Sequence, residues 1–343
     1  MARAIITPKA LKERIDKIPR VDLAALPTPL QECAHFSQKL GGPRVFIKRD
    51  DLTGLAFGGN KVRKLEFTMA DLVSKGTEVV IAGASEQSNF CRQTAACAAK
   101  LGMKAILILK GDPTAEIQGN LLVDHLVGAE IRLQKLESIS KVHQAMYELA
   151  DDLRKKGVKA QALTGFEPLA SIAYVGCMLE IVSQCKEKGI WPDYLFVNSA
   201  TGTQAGLEVG ARALGCDFKI VGVSAGPSLE GYDTISARLA EVANWVADRL
   251  DLELSFKAEE MCNSQAYVGE GYAKVTEAGI EAIRLMASTE GIILDPVYTG
   301  KAVAGLIDFI RRGEIGPDQT VVFVHTGGTP AIFAYQKELT AGA

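Results

Sequence analysis

Along this chain, short apolar runs alternate with stretches in which apolar residues return every three or four positions. Arg44–Asp50 (RVFIKRD) has the apolar middle of a strand. Asn60–Lys75 follows, with Val62, Leu65, Met69, Leu72 and Val73 forming the stripe of a helix. The same reading predicts strands at Glu78–Gly83, Lys104–Lys110 and Glu130–Gln134, with helices at Ser88–Leu101 and Gln118–Val127. In the second half it predicts strands at Tyr194–Ala200, Lys219–Ala225, Gly291–Pro296 and Thr320–Thr326. Helices are expected from about Gln204, over Asp233–Leu250 and over Val275–Thr289. Strands that alternate with helices make βαβ units, so the fold class is α/β with largely parallel sheets flanked by helices. No Pro/Gly/Ser-rich linker divides the chain, so any domain boundary is crossed by more than one segment.

Composition narrows this further. A chain of 343 residues is long enough for two domains, and 48% apolar with 23% charged residues is ordinary globular usage that gives no sign of disorder. The formal net charge is -3, with no block of like charges, so nothing points to nucleic acid or an anionic membrane surface. No run of eighteen apolar residues occurs, and no membrane span is expected. Residues 1–20 interleave basic and apolar side chains, which reads as an amphipathic helix rather than a secretory signal. Seven cysteines without a CxxC pair suggest neither a metal site nor a redox pair, and reduced thiols in a cytoplasmic protein are expected.

Five clusters carry candidate chemistry. Gly58-Gly59-Asn60-Lys61 stands at a helix start, with Asn60 a good N-cap. The positive end of the helix dipole disfavours a charged lysine there, and a neutral lysine can form an imine with an aldehyde. By itself GGNK is more often a turn with a solvent-facing lysine. Ser199-Ala200-Thr201-Gly202-Thr203 ends a strand in small hydroxyl and glycine residues, where backbone N–H groups suit a phosphate. It matches neither GxGxxG nor a Walker A loop, which weakens dinucleotide and ATP readings. Gln87-Ser88-Asn89 can bind a ring hydroxyl or a carboxylate, or cap a helix. His325-Thr326-Gly327-Gly328 offers a hydroxyl for a neutral ring nitrogen, with His325 more often a core residue than a catalyst. Tyr272 and Tyr298 can stack on a ring, donate a proton, or simply pack.

Together the stretches KRDDLTGLAFGGNKVRKLE, QSNFCRQTAA, SATGTQAG, LDPVYTGKA and VHTGG resemble the fold-type II pyridoxal-phosphate enzymes of the tryptophan synthase β family. Within it the chain looks like the D-cysteine desulfhydrase and 1-aminocyclopropane-1-carboxylate deaminase group, from about Pro27 to Phe333. The resemblance implies two domains, residues 1–63 plus 178–343 and residues 64–177, each with a largely parallel sheet and with the site between them. It implies pyridoxal 5'-phosphate as cofactor, with Lys61 the Schiff-base lysine and Lys64 on the phosphate. Ala200, Thr201, Gly202 and Thr203 would cradle that phosphate, Asn89 would bind the ring hydroxyl, and Thr326 would lie by the ring nitrogen. Tyr298 would stack on the ring, and Ser88, Gln87, Asn60 and Tyr272 would face the substrate. Lys61, Ser88, Tyr272 and Tyr298 would be the catalytic groups of a homodimer.

The implied reaction is elimination from a small β-substituted amino acid to pyruvate and ammonia. Thr299 and Thr326 stand where the cyclopropane deaminases carry glutamate and leucine, so D-cysteine is the first expectation. Residues 83–87 are one residue longer than the family's usual segment, Phe90 replaces a common histidine, and Thr164-Gly165-Phe166-Glu167-Pro168 replaces a glycine–serine–asparagine stretch. These loops border the substrate in the family, which makes L-cysteate, with sulfite release, the nearest alternative. 1-Aminocyclopropane-1-carboxylate follows, and a cysteine synthase-like transferase is the rival from a different class.

Overall fold

The computed structural model describes residues 6–199, 201–226 and 234–341. Its strands are β1 (Leu30–Glu32), β2 (Arg44–Lys48), β3 (Val79–Ser85), β4 (Lys104–Lys110), β5 (Glu130–Gln134), β6 (Ala160–Leu163), β7 (Tyr194–Asn198), β8 (Lys219–Val223), β9 (Asn263–Ser264) and β10 (Thr320–Val324). Its helices are α1 (Pro8–Asp16), α2 (Ala34–Lys39), α3 (Asn60–Ser74), α4 (Asn89–Lys100), α5 (Gly119–Leu126), α6 (Ile139–Lys155), α7 (Ile172–Glu187), α8 (Gly202–Ala213), α9 (Ile235–Arg249), α10 (Glu277–Glu290), α11 (Thr299–Arg311) and α12 (Gln336–Thr340).

Two sheets result. One has the order β1-β2-β10-β7-β8-β9, parallel throughout except for β1 against β2. The other, β5-β4-β3-β6, is wholly parallel. Alternation along the strands gives each sheet two apolar faces. In the larger sheet Phe46, Leu195, Val197 and Val322 pack with α1, α7, α8 and α9, while Val45, Ile47, Phe196 and Phe323 pack with α2, α10 and α11. In the smaller one Val80, Ala82 and Leu107 face α3, α4 and α5, and Ile81, Ile106 and Ile108 face α6. The expected cuts at 63/64 and 177/178 leave both sheets whole and pass through α3 and α7.

Residues 291–296 correct the reading: they form no strand, because Asp295 turns the chain into α11. The elements α6, β6, α7 and α11 lie outside those the pattern predicts. Helix α7 shows no stripe because it is apolar nearly all round, as a core helix is. With the turn before it, Pro168–Glu187 is long and apolar enough to cross a membrane, yet 61% of its apolar window is buried inside the protein.

The polar side chains of α7 explain how α3 is held. Arg63 donates to Asp50 (2.8 and 3.1 Å) and to Glu180 of α7 (2.6 and 3.1 Å). Lys48 of β2 reaches the same Glu180 at 2.7 Å, and Tyr174 donates to Asp50 at 2.7 Å. Burial pushes the Asp50 carboxyl up, but Arg63 overrides it and holds the group below its ordinary value. This network ties α3, α7 and the end of β2 into one block.

Removing one member strands a buried charge. Arg63→Met is expected to lower the unfolding free energy by about 3–5 kcal/mol in urea titrations. A carboxyl held low by its partner contributes stability above the unfolded carboxylate range and loses it on acidification, so the variant's acid-unfolding midpoint moves to higher pH. A loss below about 1 kcal/mol would make the network dispensable.

Candidate active site

The GGNK turn is fixed from three sides. Gly59, with φ 121, is the N-cap of α3, and Asn60 is the first helical residue, which corrects the expected Asn60 cap. Only glycine fits, since a Cβ at Gly59 would lie 2.7 Å from Gln93 Nε2 in a region that side chains avoid. Thr53 Oγ1 accepts the Gly59 N–H (2.8 Å) and donates to the Gly59 carbonyl (2.9 Å). The Gly58 carbonyl accepts from Arg92 (2.9 Å) and from the Gln93 amide. The Asn60 N–H donates to the Thr326 carbonyl at 2.9 Å, which docks the turn on the end of β10. The Asn60 side chain donates to Thr203 Oγ1 (3.2 Å), joining the GGNK turn to the first turn of α8.

Lys61 and Lys64, three residues apart, share one face of α3. With Leu65, Thr68, Phe90, Gly165 and Glu167 they line a narrow pocket of about 10 Å³, room for no more than one water. Burial holds the Lys61 amine below its ordinary value, with Glu167 opposing. Lys64 is held well below, by burial and then by Lys61, again with Glu167 opposing. The Glu167 carboxylate is itself anchored by Thr164 N–H (2.7 Å), Thr164 Oγ1 (3.0 Å) and Gly165 N–H (3.3 Å).

Beyond Lys64 lies the start of α8. Ala200 falls outside the described residues. Thr201 is the N-cap, and Ser199 Oγ accepts the N–H groups of Thr201 (3.2 Å) and Gln204 (3.1 Å). Thr203 is buried in the first turn. A Cβ at Gly202 would overlap Ser171 Oγ and lie 3.5 Å from Lys64 Nζ. The Ser171 hydroxyl is buried, with no protein partner among the described residues. A desolvated amine, an unpartnered hydroxyl and the N-terminus of a 12-residue helix therefore converge, and this donor set fits a phosphate.

Ser88 is the N-cap of α4 and accepts the Cys91 N–H at 3.2 Å, leaving its own proton to donate. Asn120 donates to Asn89 Oδ1 (3.0 Å), which fixes the Asn89 NH₂ as the donor end of that amide. Gln87 is spent on α5: its Oε1 accepts the Asn120 N–H (2.9 Å) and its Nε2 donates to the Gln118 carbonyl (3.2 Å). Tyr272 and Tyr298 meet hydroxyl to hydroxyl, with ring centroids 6.0 Å apart at 66°. Both phenols are raised above their ordinary value: Tyr298 by burial, with the neighbouring Tyr272 adding to it, and Tyr272, although 43% exposed, with the bond from Tyr298 working against the rise. Asp295, wholly buried, accepts the N–H groups of Val297, Tyr298 and Thr299 (2.8–2.9 Å) and the Thr299 hydroxyl (2.7 Å). Thr299 is thus engaged in its own turn. Thr326 is buried on Asn60, and His325 bonds the Ile293 carbonyl (3.0 Å) and the Gly327 N–H (3.2 Å), as a core histidine does. Ser171 and Asn120 stand at the candidate site without having been marked by the sequence reading, which reaches Glu167 and Asp295 only as members of the Thr164–Pro168 and LDPVYTGKA stretches. Asp295, just ahead of a helix, carries a readable cap signal, whereas Ser171 carries none.

The sequence pattern of the family described as pyridoxal-phosphate dependent enzyme matches residues 21–327. A protein of Pyrococcus horikoshii provisionally named 1-aminocyclopropane-1-carboxylate deaminase is 37% identical over 325 residues, 94% of this chain and 96% of that one. The D-cysteine desulfhydrase of Salmonella typhi is 36% identical over 333 residues, 95% and 98% of the two chains. A crystal structure of a homologue of 1-aminocyclopropane-1-carboxylate deaminase superposes with a TM-score of 0.88 at 36% identity, over 98% and 99% of the chains.

Glu167 favours the charged form of Lys61, and imine formation needs the neutral amine. Glu167→Gln is therefore expected to speed imine formation between the apoprotein and pyridoxal roughly two- to fivefold at neutral pH. The pH midpoint of that rate, followed by visible absorbance, moves down. An unchanged or upward-shifted midpoint would remove Glu167 from the electrostatics of Lys61.

Proposed function

The chain belongs to the pyridoxal-phosphate dependent enzyme family with the fold-type II architecture, and from that premise we propose that it eliminates the β-substituent of a small amino acid. The products are pyruvate and ammonia, and D-cysteine, with sulfide release, is the substrate that fits best. The observation that carries this reading is the phenol pair. Tyr272 and Tyr298 meet hydroxyl to hydroxyl, and a phenol, with an ordinary pKa of about 10, carries its proton at neutral pH, so the pair has one to give. A thiolate leaving group, whose conjugate thiol has a pKa of about 8.5, departs most easily when such a donor protonates it.

Pyridoxal phosphate, when bound, supplies an aldehyde for amine groups and an electron sink for charge left on Cα. Lys61 holds that aldehyde and then takes the Cα proton, a role that its lowered basicity suits. Lys64, Ser171, Thr201, Gly202 and Thr203 would hold the phosphate, and Asn89 the ring hydroxyl. Thr326 would hold the ring nitrogen and Tyr298 the ring face. Ser88 binds the substrate carboxylate, with Asn60 beside it, and Gln87 acts through α5 by fixing Asn120. Tyr272 and Tyr298 deliver the proton to the leaving group.

A second reading rests on the names of the relatives and on the proton left on Ser88. 1-Aminocyclopropane-1-carboxylate has no Cα proton, so Ser88 or a tyrosine would have to open the ring. We also propose a cytoplasmic homodimer, supported by seven unpaired cysteines and by the exposed apolar Leu122, Leu126 and Phe333 on neighbouring elements. The two units, 1–63 plus 178–343 and 64–177, enclose the site between their sheets.

Pyruvate release from D-cysteine, L-cysteine, L-cysteate, β-chloro-D-alanine and 1-aminocyclopropane-1-carboxylate tests the reading, with sulfide and sulfite assayed separately. D-cysteine is expected to lead, with sulfide matching pyruvate one to one, and Lys61→Ala to abolish turnover. Sulfite from L-cysteate as the main reaction would replace the substrate assignment. Incorporation of an added thiol, rather than pyruvate, would replace lyase with transferase.

A further inference from the structure

We propose that Lys301 is a positioning residue: it holds the loop that carries Tyr272, and so sets the tyrosine pair from the first turn of α11. The side chain is completely buried. Its ammonium donates to the carbonyls of Val268 (2.6 Å) and Gly271 (3.2 Å), and Tyr272 is the next residue. The loop has no regular structure and passes through left-handed backbone at Gly269, Gly271 and Ala273, so it cannot hold its own shape by repeating hydrogen bonds. Its third tie is Tyr335, whose hydroxyl donates to the Ala273 carbonyl at 3.2 Å.

The same helix turn fixes the partner. Tyr298 is the N-cap of α11, and Asp295 takes its N–H together with those of Val297 and Thr299. One tyrosine is thereby held through its own backbone, and the other through the carbonyls four and one residues before it, which Lys301 grips from three residues beyond Tyr298 on the same helix. Burying an ammonium on neutral acceptors is costly, and an apolar side chain would fill the space without that cost. What an apolar side chain cannot do is grip two carbonyls. Burial lowers the Lys301 amine and Asp295 opposes this.

This inference rests on the proposed proton donation by the phenols, and its test has an arm that does not. The first arm titrates Tyr272 by phenolate absorbance, as the difference between each protein and its own Tyr272→Phe partner. Tyr298, Asp295 and Cys91 bear on this phenol and are unchanged in every pair. Tyr272 is partly exposed and bonded to Tyr298, so in Lys301→Met its titration is expected to shift as the loop releases the phenol from that partner. Lys301→Arg, which keeps a donor, restores part of the wild-type titration. If Lys301→Met does not fold, Tyr335→Phe removes a single tie from a half-buried side chain and moves the titration the same way by less. The second arm compares leaving groups: Lys301→Met is expected to lower kcat about 10- to 100-fold for D-cysteine, whose thiolate needs a proton, and much less for β-chloro-D-alanine, whose chloride does not. A shifted titration with equal losses on both substrates keeps the positioning role and sinks the proton-donor reading. An unshifted Tyr272 titration, in Lys301→Met or in Tyr335→Phe where that is the folded variant, overturns the proposal.

Discussion

Two amines in one narrow pocket, with a single carboxylate to balance them, are the constraint on which this structure turns. Lys61 and Lys64 are three residues apart, Lys64 buried and Lys61 partly so, and Lys61 disfavours the charge of Lys64. Glu167 compensates for one of them at most. An arrangement of this kind gains from a ligand that consumes one amine chemically and neutralises the other electrostatically. A phosphorylated aldehyde does both, and the first turn of α8 with the Ser171 hydroxyl lies where the phosphate end would have to rest.

The opening turn of α3 shows how the fold separates structure from chemistry. It carries three basic residues, Lys61, Arg63 and Lys64. Arg63 points to the side of α7 and bonds two carboxylates and a threonine. The two lysines point to the other side and share one carboxylate. The satisfied cation anchors the helix, and the unsatisfied pair is left reactive. Neither half works alone, because amines held below their ordinary basicity need a rigid support, and the ion network behind them supplies it. The Gly59 turn and its bonds to Thr53, Arg92 and Thr326 complete that support.

Most of the frame was legible in the sequence, for physical reasons. Strands such as Lys104–Lys110 are apolar on both faces and bounded by turns, so both ends read correctly. Helix α3 announced itself by its stripe. Residues 291–296 look like a strand because Ile292, Ile293 and Leu294 are β-formers, but no neighbouring strand pairs with them and Asp295 ends the run in a cap. Asn60 looked like the cap because caps are usually polar; the left-handed backbone at the preceding position could be met only by Gly59. The family motifs marked Lys61, Asn89 and the tyrosines. Glu167, Ser171 and Lys301 act on residues distant in sequence, and local pattern holds no information about such contacts. Gln87, singled out by its neighbours, turned out to be occupied with α5.

The account stands or falls on which nitrogen carries the cofactor. Borohydride reduction of the purified protein with pyridoxal phosphate, followed by digestion and peptide mass spectrometry, locates the attached phosphopyridoxyl group. The account predicts one modified lysine, Lys61, with Lys64 unmodified in the same peptide family. Attachment at Lys64, at another lysine, or at none would contradict it.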